Sequence, residues 1–359
     1  MRHDYFIKAA IERNASDIHI APNAKPMFRV NGVLQVFEDS DILTHEDVDE
    51  GVKTLCDDHQ LESLNRSGEL NFSFSIPDHG RFRVNIVKQR GTYSISIRIL
   101  KLLIPSRETL GLPSVLFDMA SQNRGLMIVC GASGSGRSTT MAALLQHLNE
   151  TQKFNIITVE SPIEYLFKHN QSLLVQRDVG TDCDSIYEGV KSIMRHDPDV
   201  VMISDISDES VMELALQIAE SGKLVIAGLS SINAVTSIES IIASAPPARI
   251  ENRKLKLASN LLAIIAQQLV PSKHDAARLL VYELLMPNAA IRSHIMSGTF
   301  IELRNTLNVG KKQGMLSMDA NLLDKYWAQE ITQETLHKFC LDTEYVKRLE
   351  KNNNRGDGQ

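Results

Sequence analysis

Residues 126–140 read LMIVCGASGSGRSTT, and no other stretch limits the fold so strongly. Four successive apolar residues, 126–129, suit a short strand buried on both faces. Gly131, Gly134 and Gly136 follow at the spacing of a phosphate-binding loop, and 139–148 continue with the composition of a helix. A strand, a glycine-rich turn and a helix form an anion cradle, because successive backbone N–H groups turn inward and the helix N-terminus adds partial positive charge. The candidate phosphate contacts are therefore Gly131, Ser133, Gly134, Ser135, Gly136, Arg137, Ser138 and Thr139, with the Ser138 hydroxyl where such loops hold magnesium. Taken alone, the spacing also fits an ordinary turn before a helix. One position breaks the pattern: Arg137 stands where the loop carries lysine.

The flanking chain divides by periodicity. Residues 1–100 alternate apolar and polar over 17–20, 28–31, 71–75, 81–85 and 93–98, which predicts a half-buried sheet, with Asn31-Gly32 as a hairpin turn and 47–64 as a covering helix. Pro105, Gly111 and Pro113 make 101–113 a linker. From 114 to 290 the apolar runs 126–130, 156–159, 199–203 and 224–229 alternate with helical stretches 187–195 and 210–220, the pattern of a wound α/β core. Residues 258–269 and the region after Pro287 are expected to be helical, 291–350 forming a C-terminal helical region and 351–359 a polar, disordered tail.

A formal charge of -6 gives no general electrostatic reason to bind nucleic acid or acidic lipid. Cys56, Cys130, Cys183 and Cys340 lie far apart without C-x-x-C spacing, which argues for reduced thiols rather than a disulfide framework or zinc site. No window reaches the ~18 apolar residues of a membrane span, so a cytosolic chain is expected.

Further segments stand in a fixed order: ASDIHI at 15–20, GRFRVN at 80–85, ITVESPIEY at 157–165, HDPDVVMISD at 196–205, ALQIAESGKLVIAGL at 215–229, AIIAQQLVP at 263–271 and KKQGMLSMD at 311–319. Together with the loop they resemble the secretion and type IV pilus retraction ATPases of the PilT/PilU group, and AQQLVP and QGM resemble PilU more than PilT. The resemblance implies an N-terminal PAS-like α+β domain followed by a RecA-like P-loop NTPase domain with C-terminal helices. It also implies a cytoplasmic six-membered ring that binds ATP and Mg²⁺ at the inner-membrane base of the pilus machine. Its implied partners are further copies of the chain or an active PilT-like ATPase, and an inner-membrane pilus platform protein. Arg81, Arg83 and Arg98 alternate along strands and read alone as a solvated sheet face; the resemblance makes them candidates to reach nucleotide phosphates.

Several motif positions depart from that family. The acidic box E-D-P-I-E is Glu160-Ser161-Pro162-Ile163-Glu164 here, keeping Glu160 as a catalytic candidate. The second acidic motif ends in Ser204-Asp205-Ile206-Ser207-Asp208, so Asp205 is one methylene short and Ser207 replaces arginine. Both histidines of the histidine box are gone, as Lys223 and Ser230 show, and of the motif A-I-R-x-x-I-R-E only Ala290-Ile291-Arg292 remains. Phosphoryl transfer depends on positioning and electrostatics. Arginine is not equivalent to lysine, and a misplacement of about 1 Å can cost on the order of 100-fold in rate. The expectation is nucleotide binding with weak hydrolysis, or an inactive accessory that acts through an active ring.

Overall fold

The computed structural model describes residues 3–30, 32–76, 80–100, 104–274 and 277–356. The chain forms two compact units: Met1–Ile104 with Ser161–Phe167 and Asp178–Asp184, and Pro105–Glu160 with Lys168–Arg177 and Ser185–Gln359.

The first unit holds an antiparallel sheet of six strands, β1 (Asp17–Ile20), β2 (Met27–Val30), β3 (Val33–Val36), β4 (Glu69–Ile76), β5 (Gly80–Gln89) and β6 (Thr92–Leu100). Their order is β3-β2-β1-β6-β5-β4. Alternation decides the faces: Phe82, Val84 and Ile86 of β5 are buried with Ile18, Phe28, Ile95 and Ile97, and Val48, Val52 and Leu64 of the covering helices join the same core. The opposite face carries the polar row Ser73, Arg83, Arg98, Asp17 and Arg29, paired across five strands. Val30 pairs with Val33, so β2 and β3 form the expected hairpin, although Asn31 lies outside the described residues.

Two helices, His45–Leu55 and Asp58–Ser67, replace the single one expected over 47–64. The reason is local. Cys56 leaves the helical region at φ -109°, ψ 144°, and Asp57 opens a new helix with a capping box, accepting from the Gln60 N–H while Gln60 accepts from the Asp57 N–H.

The second unit is built on β7 (Gly125–Cys130), β8 (Asn155–Glu160), β9 (Leu173–Asp178), β10 (Val200–Ile203), β11 (Leu224–Leu229), β12 (Leu261–Pro271) and β13 (Arg278–Leu285). They are ordered β13-β12-β7-β11-β10-β8-β9. β12, β7, β11, β10 and β8 run parallel, and β13 runs antiparallel to β12.

The expectation of a helix over 258–269 is overturned: the helix Ile250–Asn260 ends there and 261–271 is β12. A continuous apolar run has no period to separate a buried helix from a central strand. Here 263–267 are buried in succession, which places both faces out of water, and the strand lies between β7 and β13, so both edges find backbone partners. After Pro287 the chain is helical as expected, in Ala289–Ser297, Phe300–Val309, Met318–Trp327, Gln333–Phe339 and Thr343–Gly356. The last helix takes in 351–356 of the expected tail, and 357–359 lie outside the described residues.

Candidate functional site

Parallel strands β7, β11, β10 and β8 are neighbours, so their C-terminal ends line one edge of the sheet, where open α/β sheets bind ligands. On that edge lie the 131–136 loop after β7, Ser230 after β11, Asp205 after β10, and Glu160 as the last residue of β8. Gly136 ends the loop at φ +92° as the N-cap of the helix Arg137–Thr151, which leaves its first N–H groups without a side-chain cap. The glycine-rich turn and the uncapped helix start that the spacing predicts are both present.

Gln267 of β12 sets the loop's shape. Its Nε2 donates to the Ser135 carbonyl at 2.8 Å and its Oε1 accepts from the Thr140 hydroxyl at 2.9 Å. The side chain is 1% exposed, so one amide ties the loop to the first turn of the following helix in a buried setting. Sequence reasoning passed over Gln267 because it sat in a segment read as helix. The available signal was the pair Gln267-Gln268 interrupting an apolar run. Gln267→Ala leaves a buried carbonyl and a buried hydroxyl unpaired, which costs about 1–3 kcal/mol for each. We expect a drop of about 2–4 kcal/mol in a denaturant titration; a drop under about 0.5 kcal/mol, the level of ordinary surface substitutions, would show that the amide does not hold the loop.

Arg137 turns toward the neighbouring strand ends. Its Nη1 donates to Ser230 Oγ at 2.9 Å and lies 3.9 Å from Asp205 Oδ2. Asp205 Oδ1 accepts from the Ser207 N–H at 2.8 Å. One departure from the family pattern, Arg137, therefore reaches two others, Ser230 and Asp205. Glu160, 6% exposed, accepts from the Thr158 hydroxyl at 2.7 Å and from Gln176 Nε2 at 3.1 Å. Cys130, just before the loop, is buried beside Ser237, and burial pushes its thiol up to about 12, leaving it no thiolate at neutral pH.

A cavity of about 420 Å³ adjoins the loop, lined by Gly136, Thr139, Thr140, Gln267, Leu269, Arg278, Leu280, Tyr282 and Lys325. Its lining mixes leucine and tyrosine side chains with hydroxyl, amide and charged groups, so a flat organic ring has apolar surface to rest on and polar partners at its edge.

The donor set does not suit a divalent cation. Asp205 already faces a guanidinium on one oxygen and a backbone N–H on the other, which leaves Ser138, the magnesium contact expected from the loop, without an uncommitted carboxylate at that strand end. Among the described residues no group of three His, Cys, Asp or Glu is placed to hold a metal.

The candidate arginines of the first unit are not gathered at one point. Arg81 donates through Nε to the Ile163 carbonyl at 3.1 Å and through Nη2 to Asp178 Oδ2 at 2.6 Å. Burial pushes the Asp178 carboxyl above its usual range, against the opposing pull of the Ile163 N–H and Arg81. Arg98 pairs with Asp17 at 2.8 Å, and Arg83 is its cross-strand neighbour. In the second unit, Arg292 of the shortened A-I-R motif donates to the carbonyls of Ala258, Ser259 and Leu261 and so closes the end of the helix Ile250–Asn260, while Ile291 and Ile295 are fully buried core residues.

Residues 3–306 match the family described as Type II/IV secretion system protein. The type IV pilus ATPase PilU of Pseudomonas aeruginosa is 34% identical over 93% of this chain and 87% of its own length. The type IV pilus retraction ATPase PilT of the same organism is 30% identical over 86% and 89%. Among solved structures, the pilus retraction motor PilT with bound ADP superposes with a TM-score of 0.91 at 34% identity, covering 97% of this chain and 99% of its own. No described helix is long and apolar enough to cross a membrane.

Proposed function

The chain belongs to the Type II/IV secretion system protein family, and on that premise we propose that it is a PilU-like subunit of a hexameric cytoplasmic motor that supports type IV pilus retraction and twitching motility. It binds ATP in the loop after β7 and hydrolyses it weakly. The observation that carries this reading is the contrast within one site: the glycine cradle and its Gln267 brace are in place, whereas Arg137 is engaged with Asp205 and Ser230. Similarity to PilU and PilT along nearly the whole chain supports the placement at the pilus machine.

The chemistry assigned to each residue follows from its position. Backbone N–H groups at 131–138 bind the β-phosphate, with the helix N-terminus adding partial positive charge. Glu160 and Asp205 are the carboxylates available to orient water, and the shorter Asp205, drawn to Arg137, is poorly set for it. The same ion pair favours a second reading, in which the subunit binds nucleotide without turnover and works by docking on an active PilT-like ring.

The test is ATP binding and steady-state hydrolysis by the purified chain, alone and mixed with a partner ring whose own site is inactivated. Saturable binding with slow turnover that disappears in Asp205→Ala is expected. Turnover near 10 s⁻¹, about the median for enzymes, would overturn weak hydrolysis, and absence of binding would overturn the nucleotide site. Binding without turnover, together with pull-down of the active ring and unchanged motility in Arg137→Ala, would establish the second reading.

A further inference from the structure

We propose that nucleotide binding by this chain needs no divalent cation, because the Arg137 guanidinium supplies the positive charge that a metal supplies elsewhere. The inference rests on the nucleotide-binding reading above. In phosphate loops of the usual composition two cations share the work: the loop lysine cradles the phosphates, and magnesium is held between the loop hydroxyl and the acidic residue of the second motif. In this chain the two positions merge. Arg137 Nη1 is 3.9 Å from Asp205 Oδ2 and donates to Ser230 Oγ at 2.9 Å, so the loop's own cation sits against the carboxylate that a metal requires.

The alternative cation is poorly served there. Magnesium demands near-octahedral oxygen ligands and sheds water reluctantly. At Asp205 it would meet a fixed positive charge on one oxygen and compete with the Ser207 N–H for the other. Arginine, by contrast, stays charged at all working pH values and presents donors along more than one edge of a plane. One edge can hold Asp205 and Ser230 while another meets phosphate oxygens, a charge-assisted pairing stronger than a neutral one.

The sizes agree as well. Lysine to arginine lengthens the side chain, glutamate to aspartate removes a methylene opposite it, and histidine to serine clears the space where Nη1 now donates. The three departures act as one exchange of a metal-assisted site for a guanidinium-assisted one.

Isothermal titration of the full chain with ADP and with ATP, in excess Mg²⁺ and in excess EDTA, tests this. The expected wild-type dissociation constants differ by no more than about threefold between the two buffers, well inside the tenfold that 1.4 kcal/mol represents. Arg137→Lys combined with Asp205→Glu is expected to bind at least about tenfold more weakly in EDTA than in Mg²⁺. Wild-type binding that weakens about tenfold or more in EDTA overturns the proposal and leaves the nucleotide site standing. No binding in either buffer overturns both. A folded double variant as indifferent to EDTA as the wild type overturns the assignment of the charge to Arg137, and should that variant fail to fold, the wild-type comparison decides alone.

Discussion

Arg253→Ala is expected to destabilise the chain by about 3 kcal/mol, the lower end of what breaking a buried ion pair costs. Arg253, on the helix Ile250–Asn260, is 1% exposed. Its Nη2 donates to Glu209 Oε1 and Glu213 Oε2, both at 2.9 Å, and its Nη1 donates to the Ile241 carbonyl at 3.2 Å and the Ser244 hydroxyl at 3.3 Å. Removing the guanidinium leaves two carboxylates and a carbonyl without their donor, and removing the stem leaves a void. Two facts pull the figure down: Glu209 and Glu213 keep part of their solvent contact, and Lys256 still donates to Glu213 at 2.9 Å. A urea midpoint measured alongside Glu209→Gln checks it. A loss below about 1 kcal/mol would place the cluster with ordinary surface pairs. The position matters because Glu209 opens the helix Glu209–Glu220, capped by Asp208 three residues after Asp205, so a loosened helix start is felt at the nucleotide edge.

The second large effect is on binding. Gly131→Ala is expected to reduce ADP affinity by at least about 100-fold, the scale set by misplacing a site by about 1 Å. A Cβ on Gly131 would collide with the Ser135 hydroxyl and come within 2.6 Å of the Gln267 carbonyl, at φ +156°. The Ser135 side chain can rotate. Gln267 is held in β12 by its pairing with Tyr282 of β13, one residue past the Ala266–Cys130 end of the ladder with β7, so its carbonyl yields less readily than the loop, which opens instead. Gly134→Ala is the control, since its Cβ meets nothing within 4 Å although φ is +77°. Equal losses in the two variants, read by the same titration, would mean that backbone conformation rather than crowding against β12 governs the cradle.

How much was readable before the structure depended on the range of the interaction. The loop was legible because its spacing is local: glycines, helix start and preceding strand fall within fifteen residues. Strands β7, β8, β10 and β11 were legible because each is a short apolar run bounded by polar residues. Strand β12 was not, since the apolar run 261–266 has no period of its own and only its neighbours decide its form. The division at Cys56 and Asp57 was within reach through the Asp57–Gln60 capping pair, which the wider apolar pattern of 47–64 obscured. At the site, residue types announced that Arg137, Asp205 and Ser230 were altered. That they are altered toward one another required the 93-residue separation between Arg137 and Ser230 to be closed in space.

The make-up of the smaller unit bears on any attempt to produce it as a fragment. Its sheet ends at Leu100, yet Arg81 finds its carbonyl and its carboxylate on Ile163 and Asp178, which arrive from much later in the chain. A polypeptide stopped at 104 would therefore carry the strands but leave the Arg81 guanidinium only the Ser75 hydroxyl, at 3.4 Å, as an acceptor. Any excised version of this unit has to bring 161–167 and 178–184 with it, by a loop graft or a permuted chain, before its stability says anything about the unit in the whole protein.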